Sequence, residues 1–180
     1  MRLVACAVAL SLATLATPAA ADRAADFSAS LVGADADTVG VIVKHDSSGW
    51  TMKVRPKPGA DAIDVAMSAV PSKHGDFLVF VGPGRKRIAW IMTGDVNGVP
   101  AAGDTVVWMF KVADGSVTTT TFAQLFSQDD REKVGMSTAG AFWYTFQAQV
   151  KAKGAKLSLP ASGGGSVVLD LKAGSVKRKR

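Results

Sequence analysis

Cysteine is nearly missing from this 180-residue chain, since Cys6 is the only one. It falls inside an N-terminal stretch that reads as a cleavable leader, so the mature chain is expected to carry no thiol. Disulfides, thiolate metal sites and cysteine nucleophiles are thereby excluded together. Glutamate is equally scarce: Glu132 stands alone against fourteen aspartates. Aspartate favours turns and loops where glutamate favours helix interiors, which argues against an all-helical fold. Histidine occurs twice, as His45 and His74, and no Gly-x-Ser-x-Gly elbow for a nucleophilic serine is present. No internal repeat appears, nor any linker long enough to divide the body.

What is there describes one globular, exported domain. At 48% hydrophobic and 20% charged residues the chain is too apolar for disorder and too interrupted for a multi-span membrane protein. Its length fits a single core. Met1-Arg2 forms a short positive region, Leu3 to Ala16 is apolar or small throughout, and Ala19-Ala20-Ala21 is a small-x-small cleavage site. The run is shorter than the ~20 residues that span a bilayer, so a removable signal peptide is expected and no transmembrane span in the mature chain. Leu3-Val4-Ala5-Cys6 sits too early for a lipoprotein signal, with only Met1 and Arg2 before it. The expected organisation is a signal peptide over 1–21, a lead-in over 22–38, a β-rich domain over 39–172 and a basic tail over 173–180, in a periplasmic or secreted protein.

The dominant period is two. Trp50 to Arg55 alternates apolar with polar at every step, as a half-buried strand requires. Val39 to Lys44 and Phe77 to Val81 are short continuous apolar runs, read as strands covered on both faces. Thr105 to Ala113 and Ser116 to Phe122 flank Asp114-Gly115, a two-residue hairpin turn that sets Val112 opposite Val117, Phe110 opposite Thr119 and Trp108 opposite Thr121. Phe142 to Lys153 alternates except at Trp143 and reads as a long amphipathic strand. Lys156 to Leu159 and Val167 to Leu171 add two strands around a loop at Pro160 to Gly165. Ala60 to Val70 fits either a strand or a helix. One short helix is predicted between Phe122 and Val134, with Ser127 and Asp130 spaced as an N-terminal cap and Gly135 as a stop. The sum is a mainly β, single-domain antiparallel sandwich or barrel of about eight to ten strands with one short helix.

Candidate chemistry is sparse. Adjacent residues on a strand point to opposite faces, so His45 and Asp46 form no catalytic pair there. His74 and Asp76 share a face and, with His45, are the catalytic candidates. No histidine spacing fits a metal, and Gly94-Asp95-Val96-Asn97-Gly98 lacks the later ligands of a calcium loop, so it reads as an Asn-Gly turn and no metal or cofactor is expected. The Thr118 to Thr121 run is ordinary strand composition. Among the four tryptophans, Trp143 breaks onto the polar face of its segment and is the candidate to meet a ligand or partner.

Charge is the uneven feature. The net charge is +6, of which Arg2 leaves with the leader. Seven cations fall in two clusters, Arg85-Lys86-Arg87 after Gly82-Pro83-Gly84 and Lys177-Arg178-Lys179-Arg180 at the end of the chain. Without them the mature body is slightly acidic. Such clusters attract polyanions. Outside the cytoplasm these are phospholipid head groups, lipopolysaccharide, acidic wall polymers or released nucleic acid. No nucleic-acid-binding motif occurs, so specific nucleic-acid readout is not expected. The expected function is therefore a non-catalytic envelope protein binding a protein partner or an anionic surface through Arg85, Lys86, Arg87, Trp143, Lys177, Arg178, Lys179 and Arg180. The alternatives are a β-barrel carrier of a small apolar ligand, and a hydrolase using His74 with Asp76 or His45.

Overall fold

In a computed structural model the chain is described over residues 28–32, 40–70, 75–95, 98–137, 140–143 and 151–180. Fourteen short strands and two short helices occur among the described residues, so the mainly β expectation holds. The organising strand is β6 (Arg87–Asp95), in which Ile88 to Thr93 are each at most 3% exposed. A strand covered on both faces is what a continuous apolar run produces. It pairs with β5 (Gly75–Val81) on one side. On the other, its first half pairs with β7 (Thr105–Lys111) and its end with β10 (Gly140–Phe142). The sheet is completed by β8 (Val117–Thr121) beside β7, β9 (Gly135–Ser137) beside β10, and β1 (Ser28–Val32) beside β5. The β1–β5 pair is parallel, the exception to an otherwise antiparallel sheet, and it puts a strand in the segment expected to be only a lead-in.

Two smaller sheets pack around this one. The first is the meander of β2 (Val41–Asp46), β3 (Gly49–Val54) and β4 (Ile63–Val65). In β3 the alternation read from sequence is seen directly, with Trp50, Met52 and Val54 buried and Thr51 and Lys53 exposed. Trp50 carries this sheet onto the main one, its ring 4.8 Å from Trp90 and 5.5 Å from Phe77. The expectation for β2 was wrong: it alternates, and Ile42 is 42% exposed, because this sheet has only one face against the core. The second small sheet is the meander of β11 (Lys151–Lys153), β12 (Lys156–Pro160), β13 (Ser166–Asp170) and β14 (Ser175–Lys179). Leu157, Leu159, Val167 and Leu169 form its inner face, all fully buried, and belong to the same core.

Between Phe122 and Val134 the single predicted helix is two, α1 (Phe122–Leu125) and α2 (Gln128–Glu132). Ser127 interrupts them by capping α2, its hydroxyl accepting from the Asp130 N–H while the Asp130 carboxylate accepts from Ser127. The cap read from sequence is therefore present, and it starts a new helix instead of extending the old one.

The hairpin at Asp114-Gly115 forms, but in another register. Phe110 pairs with Val117 and Trp108 with Thr119, two residues from expectation. The cause is a four-residue loop: the Gly115 N–H donates to Lys111 O, Lys111 N–H donates to Ser116 O, and Val112 N–H turns away to Lys86 O. A shift of two leaves Trp108 and Phe110 on their expected face, and the register shifts again only at the bulge between Thr105 and Val107. In Ala60 to Val70 the strand reading survives only at β4, after which Val70 N–H donates to Met67 O in a turn.

The end of the chain is no tail. β14 pairs with β13 over its whole length, from Asp170 opposite Ser175 to Ser166 opposite Lys179. The β12–β13 turn fits beneath it through Gly165, held at φ +70°, where a Cβ would stand 2.2 Å from Lys179 O. Gly165→Ala is expected to cost about 1–3 kcal/mol, the usual range for forcing a side chain into such a backbone. Urea unfolding measures it, and an unchanged midpoint would mean that β14 does not close over this turn.

Candidate anion-binding face

In an antiparallel sheet directly opposed residues project on the same side. The register of the β11–β14 sheet therefore places Lys151 and Lys153, Lys156, Lys177 and Lys179 on one face, opposite the buried one. All five lysines are exposed. Two alternations produce this, lysine at every second residue in β11 and in β14. The Gly154-Ala155 turn, with Gly154 at φ +56°, folds Lys153 opposite Lys156.

One carboxylate shares the face. Asp170 Oδ2 lies 3.4 Å from Lys156 Nζ. Its Oδ1 is committed to the β13–β14 turn, accepting from the N–H groups of Lys172 and Ala173 at 3.0 Å each. The Ala173 N–H, with Lys156 and the Lys172 N–H, holds Asp170 below the usual carboxylate range against the opposing effect of burial. The face thus carries four more positive than negative charges. Among the described residues the rest of it is Ser158, Pro160, Ser166, Val168 and Ser175, with no aromatic ring.

The arginines of the two clusters are used differently. On β14, Arg178 faces inward, its guanidinium 4.5 Å over the Phe126 ring, donating to Ser162 O and Gly164 O. Burial lowers its pKa, opposed by Asp130. Arg180 reaches Asp130 Oδ2 at 3.1 Å. In the β5–β6 loop, Arg85 donates to Arg55 O at 3.0 Å, tying that loop to the three-stranded sheet. Arg87 donates to Leu171 O at 2.9 Å and Lys172 O at 2.8 Å, tying it to the four-stranded sheet. A planar guanidinium with five donors can clamp several carbonyls, which a lysine cannot do as well. Of the seven cations singled out in sequence, four are engaged in these contacts and only Lys86, Lys177 and Lys179 are lysines left exposed.

The remaining candidates separate. Trp143 is fully buried, packs 5.5 Å from Phe126, and its indole N–H donates to Met92 O at 2.6 Å. Its expected exposure is corrected: β10 ends at Phe142 and the chain bends at Trp143, so the alternation that placed it outward does not continue through it. Residues 144–150 of the expected long strand lie outside the described residues. His45 stands opposite Trp50 in the β2–β3 hairpin, ring to ring at 4.8 Å. Asp46 turns to the Ser48 N–H and hydroxyl, which lower its pKa. His74 lies outside the described residues, and of Asp76 only its backbone position in β5 is described. Among the described residues no three His, Cys, Asp or Glu side chains gather as metal ligands do, and no helix is long and apolar enough to cross a membrane.

Sequence reasoning missed Lys151, Lys153 and Lys156. The available signal was lysine at alternate positions in segments already read as strands. Compared with protein-family models, curated proteins and solved structures, the chain matches none.

Asp130 offers a separate check on how the end of the chain is held. The Ser127 hydroxyl, then Arg180 and the Ser127 N–H, hold its carboxyl below the ordinary value despite the opposing effect of burial. A depressed folded-state pKa contributes stability that is full above the unfolded value near 3.9 and is lost as pH falls through the folded one. Asp130→Asn is therefore expected to be less stable than the native chain at pH 6, with the gap narrowing below about pH 4. Urea melts at pH 6 and pH 3 check it, and a gap that widens on acidification would contradict it.

Proposed function

We propose that this is an exported, non-catalytic β protein that docks on an anionic surface of the cell envelope. The observation that carries the reading is the face of five lysines and one carboxylate on the C-terminal sheet. Lysine is a hydrated point charge on a flexible stem, suited to many phosphates or carboxylates in no fixed orientation; bidentate recognition would call for arginine. Among the described residues the face offers no aromatic ring of the kind on which single-stranded nucleic acid stacks. Lipid head groups, lipopolysaccharide and acidic polymers remain, and near an anionic membrane each basic residue contributes about 1 kcal/mol.

Four of the five lysines lie on the edge strands β11 and β14, where lysine also discourages pairing with another sheet. Lys156 is on the interior strand β12, where edge protection asks for nothing. Cosedimentation with vesicles containing phosphatidylglycerol, across a salt series, tests the reading. Binding that fades as the Debye length shrinks from ~10 Å at 0.1 M to ~3 Å at 1 M supports it, and no binding at low salt rejects it.

A further inference from the structure

A cleft of about 660 Å³ opens where the three sheets meet, lined by none of the face lysines. Its size falls within the ~300–1,000 Å³ typical of small-molecule sites. Ile63 from β4, Pro83 from the β5–β6 loop, Val112 from the β7–β8 turn and Leu171 from the β13–β14 turn supply apolar walls. Ile63 is 39% exposed, one of few large apolar side chains so placed among the described residues. Among the described residues five cations also line the cleft and no carboxylate does.

Three of those cations are committed. Arg85 and Arg87 donate to backbone carbonyls, and Lys111 is paired with Asp114. Lys86 and Lys172 are exposed and make no ion pair among the described residues. An apolar wall beneath uncompensated ammonium groups complements a molecule that is apolar along its length and anionic at one end. A neutral apolar ligand would leave the charges unused. A polar anion would leave the apolar walls unused. The volume suits one hydrocarbon chain better than the two of a membrane phospholipid.

We propose that the cleft binds a single-chain anionic amphiphile, with the chain against Ile63, Val112 and Leu171 and the head group at Lys86 and Lys172. The site shares no residue with the lysine face and stands or falls separately from the function proposed above. Calorimetric titration of the full chain with dodecanoate, below its micelle concentration, is expected to show saturable binding. Dodecanol, of the same length without charge, is expected to bind at least tenfold more weakly. The double substitution Lys86→Gln and Lys172→Gln should weaken dodecanoate at least tenfold and leave dodecanol unchanged. Ile63→Glu, at an exposed position, should weaken both. Lysophosphatidylglycerol in place of dodecanoate distinguishes a lipid-derived source from a free fatty acid, and binding of either one supports the site. The proposal is overturned if neither anion binds saturably, if the double variant binds dodecanoate as the native chain does, or if binding is lost instead on neutralising the five face lysines.

Discussion

Replacing Lys151, Lys153, Lys156, Lys177 and Lys179 together by glutamine is expected to weaken binding to phosphatidylglycerol vesicles roughly a thousandfold at low salt. The estimate follows from about 1 kcal/mol per basic residue near an anionic surface, with Lys156 discounted for its pairing to Asp170, and about 1.4 kcal/mol per tenfold change. All five side chains are exposed and point away from the core, so the fold should tolerate the change. Surface substitutions of this kind commonly stay within ±0.5 kcal/mol each. The residual binding of the variant should also lose most of its salt dependence. A variant that binds as the native chain does would place the interaction elsewhere or show it to be non-electrostatic.

Trp143→Ala is expected to destabilise the fold by about 3–5 kcal/mol, the range for removing a large buried aromatic side chain. Two losses combine. The ring packed on Phe126 vanishes and leaves a cavity, and Met92 O loses the indole N–H that satisfies it. Trp143→Phe isolates the second: most of the ring contact persists, and the unsatisfied carbonyl should cost about 1–3 kcal/mol. Urea unfolding of the two variants measures both. If Trp143→Ala cost less than about 1 kcal/mol, the residue would be on the surface, as the alternation of its segment implied.

That contrast shows how far the sequence could be read. Local period was legible: Trp50, Met52 and Val54 turn inward because nothing interrupts their strand. The Asp114-Gly115 turn was legible too, because its chemistry is local, whereas its loop length was not, because the Val112 N–H leaves the hairpin for Lys86 O. Trp143 failed for the same kind of reason, a bend that ends β10 and sends the indole to β6. The charge pattern was the least legible. Counting along the chain gathered Lys177 to Arg180 into one cluster, whereas the strand divides it, with Lys177 and Lys179 outward and Arg178 over Phe126. Pairing then adds Lys151, Lys153 and Lys156 from more than twenty residues upstream. Register between strands is a non-local fact, and composition does not contain it.

The proposed function requires that position on this face, and not net charge, drive binding. Two variants of equal charge, compared on phosphatidylglycerol vesicles at low salt, separate the two. One carries glutamine at the five face lysines. The other carries glutamine at Lys44, Lys53, Arg55, Lys57 and Lys111, on or just after β2 and β3 and at the end of β7, none of them on the face. The expected result is a near-complete loss of binding in the first and less than a tenfold loss in the second. Equal losses in the two would contradict the assignment of the site and reduce it to net charge.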